Sequence, residues 1–371
     1  MIGELGVTRR ISIRPPYQMG LPLDKLVLRQ ASRAQEIESR KLSSVQWAKW
    51  YDLEGYLGRL EYLESLDHAS NGRFVTWILV PLDDPETLDI LSTCQTYKRD
   101  VLVIPAGKTT ATQDIGYAIA SVFTPAKHRG KGYAARMMSL LHFAIARPEG
   151  VPPFPEGWVA WGHITPGAPP GEGSGWMIVG TRTAEWTVPS HAIELDSHVE
   201  LLHMEEAIST LAADATHFKH DFESLGPLSY TRFAFQPTAG WCRYQMIRDQ
   251  ESPIYIASPP EFWGARIQHG SRTDYIIWTY RPSNDPAPKL IVVNLRTTSD
   301  NFPVLLKAVI SVAQKERHHL VEAWNLDAEL VDAVGKTGGR IYERKGQLPA
   351  LKWYGLEQEI DWVGNNKLHW C

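Results

Sequence analysis

An α/β (α+β) fold in two domains is predicted for this chain, and three observations predict it. The first is residues 117–144, YAIASVFTPAKHRGKGYAARMMSLLHFA, where an apolar run over residues 117–123 breaks at Thr124-Pro125 and crosses a basic loop punctuated by glycines. The run re-emerges at Ala134 with Met137, Met138, Leu141 and Ile145 at helical spacing, so the stretch reads strand, loop, helix. The second is the order of patterns up to this helix, β-α-α-β-β-β-α. The third is a second series of strand and helix patterns beyond residue 230 that resembles the first, as a degenerate duplicate would.

Taken in order, residues 1–25 hold Pro15, Pro16 and Pro22, lack periodicity and read as an arm. Leu26–Gln30 is a short strand, and residues 31–51 are helical, with Ile37, Leu42, Val45 and Trp47 among the apolar positions. A second helical run covers residues 53–66. Trp47, Trp50, Tyr51, Tyr56 and Tyr62 make this region rich in rings that can hold an alkyl amine by its stem and attract its cation, although core packing accounts for the rings equally well. Residues 73–81 and 93–104 read as paired strands joined by the acidic loop Asp83-Asp84-Pro85-Glu86.

The loop that follows the next strand is the most informative stretch. Gly130 and Gly132 remove side chains where a backbone must approach something closely, and the loop N–H groups converge with those of the helix start. Such a place binds phosphate. Arg129 and Lys131 add positive charge beside it, and His128 adds more when protonated.

After a proline-rich link, residues 157–164 read as a further strand. The run from Thr165 to Gly175, TPGAPPGEGSG, cannot be a regular helix. Residues 176–179 and 185–188 are expected as closing strands of this first domain. Residues 189–225 read as a charged helical connector, with Leu201, Leu202, Met204, Ile208 and Leu211 at helical spacing and His191, His198, His203, His217 and His220 scattered over a polar, solvated face. Strand patterns follow at 230–235, 262–268, 274–280 and 290–295, then a helix at 302–317, a strand at 319–325, a helix at 327–334 and strand-like ends at 348–354 and 360–363. The expected domains are therefore an arm at 1–25, a first domain at 26–188, the connector at 189–225 and a second domain at 226–371.

With 371 residues and 43% hydrophobic content the chain can build two cores. A formal net charge of −4 argues against general nucleic-acid binding, which calls for a basic face. Cys94, Cys242 and Cys371 are too few and too scattered for a disulfide framework, and no Cys/His spacing points to a metal site. No apolar run approaches a membrane span, and the first residues lack the apolar core of a secretory signal, so the expected compartment is the cytoplasm. Most of the fourteen tryptophans sit in strand-like runs and read as core.

Arg129-Gly130-Lys131-Gly132-Tyr133-Ala134 resembles the R/Q-x-x-G-x-G/A pyrophosphate loop of the GCN5-related N-acetyltransferase (GNAT) superfamily, and Val122-Phe123-Thr124 resembles the strand end that precedes it there. The two-domain pattern, the run Gln347-Leu-Pro-Ala-Leu-Lys-Trp-Tyr354 and the ending Leu368-His-Trp-Cys371 resemble the fungal lysine N6-acetyltransferases in particular. The resemblance implies a GNAT fold with a mixed, splayed central sheet followed by a second, degenerate GNAT-like domain. It implies acetyl-coenzyme A as cosubstrate, with no metal, and a small-molecule amine as partner, lysine in the family's namesake. Val122, Phe123, Thr124, Arg129, Gly130, Lys131, Gly132, Tyr133 and Ala134 would hold the cofactor, with the thioester beside residues 120–122 and a backbone N–H near Val122 or Phe123 facing the oxyanion. The corresponding stretch of the second half, Arg296-Thr-Thr-Ser-Asp-Asn-Phe-Pro303, has no glycine and one cation, so that half is not expected to bind coenzyme A.

Two features depart from the family. No tyrosine lies between Tyr133 and Tyr230, so the usual general acid has no counterpart, and the central strand carries no carboxylate after Asp114. An amine near pKa 10 must lose a proton before it attacks. His163, near the end of the 157–164 strand, and the C-terminal carboxylate of Cys371 are the two candidates to take it, the second by analogy with related two-domain acyltransferases. Detoxification of a foreign amine or polyamine, and coenzyme A binding without catalysis, stand as alternative functions.

Overall fold

The computed structural model describes residues 20–48, 50–145, 177–250, 253–270, 272–281, 288–354, 357 and 359–370. Strand β1, Leu26–Gln30, is followed by helix α1, Arg33–Trp47, which Ser32 and Gln35 start with a reciprocal capping box. Helix α2 spans Leu53–Glu64, with the Asp52 side chain accepting from the Gly55 N–H at 2.8 Å. Asp52 is therefore spent as a helix cap. Strands β2, Phe74–Pro81, β3, Ser92–Ile104, and β4, Thr112–Phe123, then form an antiparallel meander with β1, and helix α3, Tyr133–Ile145, packs on it. Leu26, Leu79 and Cys94 from the strands, with Leu91 just before β3, meet Tyr133, Met137 and Leu141 of the helix in one buried cluster.

Past the undescribed stretch lie β5, Met177–Ile178, β6, Arg182–Thr187, and β7, Glu200–Leu202. Helices α4, Met204–Ala215, and α5, Phe218–Ser224, lead to β8, Thr231–Phe235, and then to α6, Ala239–Asp249, and α7, Pro253–Ala257. Strands β9, Gly264–His269, β10, Arg272–Arg281, and β11, Lys289–Arg296, are followed by α8, Phe302–Lys315, β12, Leu320–Trp324, α9, Ala328–Lys336, and β13, Arg340–Glu343. Short strands β14, Ala350–Leu351, and β15, Ile360–Trp362, precede a 3-10 turn at Lys367–His369.

Two large sheets result among the described residues. The six-stranded sheet runs β1-β2-β3-β8-β15 with β4 on the far side of β3, and the seven-stranded sheet runs β13-β6-β12-β11-β10-β9-β7. Three expectations are corrected here. Strand β6, expected to close the first sheet, pairs with β12 and β13 in the second. Strands β8 and β15, expected in the second domain, belong to the first sheet: β8 pairs with Val101–Ile104 of β3, beyond the stretch of β3 that β2 covers. The physical reason is length. β3 outruns β2, and its unpaired N–H and C=O groups need a partner. The third correction concerns the connector, whose Leu201 and Leu202 lie in a strand and not a helix, because β7 completes the edge of the second sheet against β9.

The second half repeats the arrangement of the first. Strands β10 and β11 are antiparallel, α8 follows, and β12 returns parallel to β11. Both central strands carry a bulge. Between Thr93–Phe123 and Gln95–Ala120 two residues of β4 face one of β3, and between Ile277–Asn294 and Trp278–Val292 an extra residue of β11 does the same.

Candidate active site

The bulge in β4 places Ser121 in the left-handed region at φ 53°, a costly conformation for a residue with a Cβ. It takes Ser121 and Val122 out of the regular ladder and turns Val122, 44% exposed, toward solvent, while Phe123 is buried. The strand end is pinned by Ser92, whose Oγ donates to the Phe123 carbonyl at 3.0 Å and meets the Thr124 hydroxyl at 3.0 Å. A single 3-10 turn, Ala126–His128, then leads into the loop.

In the loop, Gly130 and Gly132 have φ of 76° and 81°. These values turn successive N–H groups to one side, a conformation that favours glycine. The first bond of α3 runs from the Arg136 N–H to the Gly132 carbonyl at 3.0 Å, so the N–H groups of the first helical turn have no partner within the helix. Ala134 and Ala135 keep side chains short over that turn. Strand end, loop and helix start face one cavity of about 510 Å³, lined by Val122, Phe123, Thr124, Arg129, Gly130, Gly132, Tyr133 and Ala134 among others.

The remaining expected residues are placed as follows. Lys131 does not line the cavity; its stem packs near Gly20. The Tyr133 ring is turned into the core, and its hydroxyl accepts the Leu21 N–H at 2.8 Å, so its backbone is what it offers the loop. The Arg129 Nε donates to the Thr124 carbonyl at 3.0 Å, and the guanidinium lies 5.8 Å from the Phe123 ring centre. His163, the strand expected at 157–164, the run at 165–175 and Cys371 all lie outside the described residues.

Four further residues line the cavity; the sequence offers Trp47 as a ring for an amine stem and His128 as charge beside the loop, but gives no sign of Gln46 or Ala135. Gln46 and Trp47 come from the C-terminal end of α1, where Trp47 approaches Phe123 with ring centres 5.6 Å apart. Ala135 extends the helix start. His128, 9% exposed, has its Nε2 3.0 Å from the Asp89 carboxylate, which also takes the Lys127 ammonium at 2.6 Å. Those two partners, Lys127 first, hold the Asp89 carboxyl below its usual range. Asp89 thus neutralises Lys127 and fixes the His128 ring beneath the loop. Cys94, close by in sequence to the β3 end of this site, is no nucleophile, because burial pushes its thiol up to about 12.

The second half lacks this apparatus. Where β11 leads into α8, the buried carboxylate of Asp274 accepts the Thr298 N–H at 3.2 Å, the Thr297 hydroxyl at 3.2 Å and the Asn301 side-chain amide at 2.8 Å. An anion built into the chain occupies the donors that a phosphate would need. The Arg296 side chain is drawn off to Asp214 and Asp221.

Residues 183–371 match the family described as the LYC1 GNAT-like C-terminal domain. The chain belongs to this family. LYC1-like membership makes it an acetyl-coenzyme-A-dependent N-acetyltransferase of the GNAT superfamily. A protein named lysine acetyltransferase from Yarrowia lipolytica is 22% identical over 409 residues, covering 93% of this chain and all of the relative. A conserved protein of unknown function from Enterococcus faecalis, described as a probable N-acyltransferase, superposes with a TM-score of 0.53 at 11% identity over 88% of this chain and 71% of its own. It supports the same fold. A GCN5-related N-acetyltransferase from Kribbella flavida is 13% identical, with a TM-score of 0.47 over 88% of this chain and 70% of its own. The LYC1-like match begins inside β6, at the start of the second sheet rather than at residue 226.

Proposed function

We propose that the chain transfers acetyl from acetyl-coenzyme A to the primary amine of a small molecule, with the N6 amine of lysine as the acceptor. The observation that carries the cofactor part is the joining of the β4 bulge, the Gly130 and Gly132 loop and the α3 start around one cavity. The pyrophosphate lies on the N–H groups from Gly130 to Ala134, with Arg129, which lines the cavity, supplying charge. The pantetheine arm follows the edge of β4 away from β3, past Thr124 and Phe123, so that the thioester reaches Val122. A backbone N–H freed by the bulge then faces the oxyanion of the tetrahedral intermediate.

The amine attacks the thioester carbon, coenzyme A leaves as thiolate, and the ammonium proton passes to a base. His163 and the carboxylate of Cys371 are the proposed bases. The lysine part is supported by the name of the Yarrowia relative, at 22% identity. Trp47, which lines the cavity and approaches the Phe123 ring, is suited to the alkyl stem of such an amine.

Release of coenzyme A measured over lysine, ornithine, polyamines and amino sugars tests the proposal. Turnover highest with lysine, with loss in His163→Gln or on deletion of Cys371, is the expected result. Release with another amine class reassigns the acceptor, and no release with any amine despite bound cofactor contradicts the transfer reading.

A further inference from the structure

The last described residues of the chain run along the second half and end against the catalytic sheet. On the second-half side, β11 and β12 pair only from Lys289–Leu320 to Val292–Ala323. Beyond that point Asn294 accepts from the Asn366 side-chain amide at 2.9 Å, and the Asn325 amide donates to the Asn365 carbonyl. The Asn365 amide reaches the Val179 carbonyl at 3.1 Å, Leu368 is fully buried, and Trp370 meets Trp324 edge-on at 5.8 Å. The tail therefore fills the gap where the two parallel strands part. In the repeat, this is the position that the pantetheine arm is proposed to take beside β4.

On the catalytic side, the tail meets Arg99 and Gln245. The Arg99 guanidinium lies 4.1 Å from the Trp241 ring centre and 4.6 Å from that of Phe235, and it donates to the His369 carbonyl at 3.2 Å and to His369 Nδ1 at 2.8 Å. A guanidinium can only donate, so Nδ1 is the acceptor and the imidazole is neutral. Gln245 of α6, fully buried, donates to the carbonyls of Leu368, at 3.4 Å, and Trp370. Strand residues alternate, which puts Arg99 on the same face of β3 as Tyr97 and Gln95. Across the ladder these face Gly116, Ala118 and Ala120, and Ala120 is the residue before the bulge. At about 3.3 Å per residue, the four residues from Gly116 to Ala120 put the Arg99 contact about 13 Å from the bulge along this face.

We propose that Arg99 and Gln245 are positioning residues that hold residues 368–370 as the floor of the acceptor-amine site. The inference rests on the transfer reading above. Burying a guanidinium is expensive, and apolar residues of similar volume would join the layers as well or better. What Arg99 adds is direction: two donors fixed on a carbonyl and a ring nitrogen of one residue.

Steady-state kinetics of the full chain with its best amine tests this, with Arg99→Met, Arg99→Lys and Gln245→Met compared with the native chain, alongside coenzyme A affinity and melting temperature. The expected result is an amine KM raised at least tenfold in Arg99→Met and Gln245→Met, partial recovery in Arg99→Lys, and coenzyme A affinity within twofold of native. Amine KM and kcat within twofold of native in folded variants overturn the inference. So does a rise in amine KM accompanied by parallel losses of cofactor affinity and melting temperature, the mark of a merely structural contact. Should Arg99→Met not fold, Gln245→Met decides. A native chain that binds coenzyme A but acetylates no amine refutes the transfer reading itself, and the inference with it.

Discussion

Ser121 carries the strain on which the site depends. A non-glycine residue at φ 53° costs about 1–2 kcal/mol, and the surrounding β3–β4 pairing holds it there. Ser121→Gly is expected to keep the bulge and leave melting temperature unchanged or slightly raised. Ser121→Val, whose branched Cβ resists the left-handed region, is expected to lower stability by about 1–2 kcal/mol and to lower kcat, read by thermal denaturation and coenzyme A release. Nothing in the sequence marks this position, because serine is not a residue that announces a positive φ. Gly130 and Gly132 were legible for the opposite reason: in a loop between an apolar strand and an amphipathic helix, glycine is the residue such geometry asks for.

At the scale of elements, Asp274 is to the second half what a bound phosphate is proposed to be to the first. Asp274→Ala removes one acceptor from three donors and is expected to cost about 2–4 kcal/mol, measured as a shift in denaturation midpoint, without creating a second coenzyme A site. The sequence showed the strands, the helix after each central strand and the missing glycines of residues 296–303. It did not show which sheet each strand joins. Periodicity reports which face of a strand is buried and says nothing of its neighbour, so β6, β8 and β15 were assigned by chain order and lie in the other sheet. The register of β3 settles it, since one long strand offers an edge to β2 at one end and to β8 at the other. Helices α6 and α7 drew no prediction. The α6 sequence from Ala239 to Asp249 is aromatic and polar by turns, and it packs against both halves at once, leaving no single apolar stripe to read.

Across the whole molecule, buried and half-buried neutral imidazoles contribute to its acid lability. Burial pushes His68 and His318 down to about 4, and His142 likewise, while burial and then Arg99 hold His369 well below the ordinary range. Each binds fewer protons folded than unfolded below about pH 6.5, so stability declines as pH falls from about 6.5 to about 4. Glu64, pushed up to about 7 by burial against the pull of Arg40, acts in the opposite sense over part of that range. The imidazoles outnumber it, so a net fall in melting temperature is expected between pH 6.5 and 4. Among the described residues the His68 ring nitrogens have no hydrogen-bond partner, and the ring lies 4.2 Å from that of Tyr244. His68→Phe keeps the packing and removes one titration, so it is expected to flatten the acid loss by up to about 3 kcal/mol, with no change in the pH 8 baseline beyond about 1 kcal/mol.

Two copies of one architecture, one with an open donor loop and one with its donors filled by Asp274, make a single prediction about ligand count. Equilibrium binding of coenzyme A, followed calorimetrically, should give one site per chain. In Gly132→Glu, which forces a Cβ into φ 81° and sets a carboxylate beside the phosphates, affinity should fall about a hundredfold, or about 2.7 kcal/mol. In Asp274→Asn the site count and affinity should stay as in the native chain. Two sites per chain, or binding indifferent to Gly132→Glu, would contradict the account.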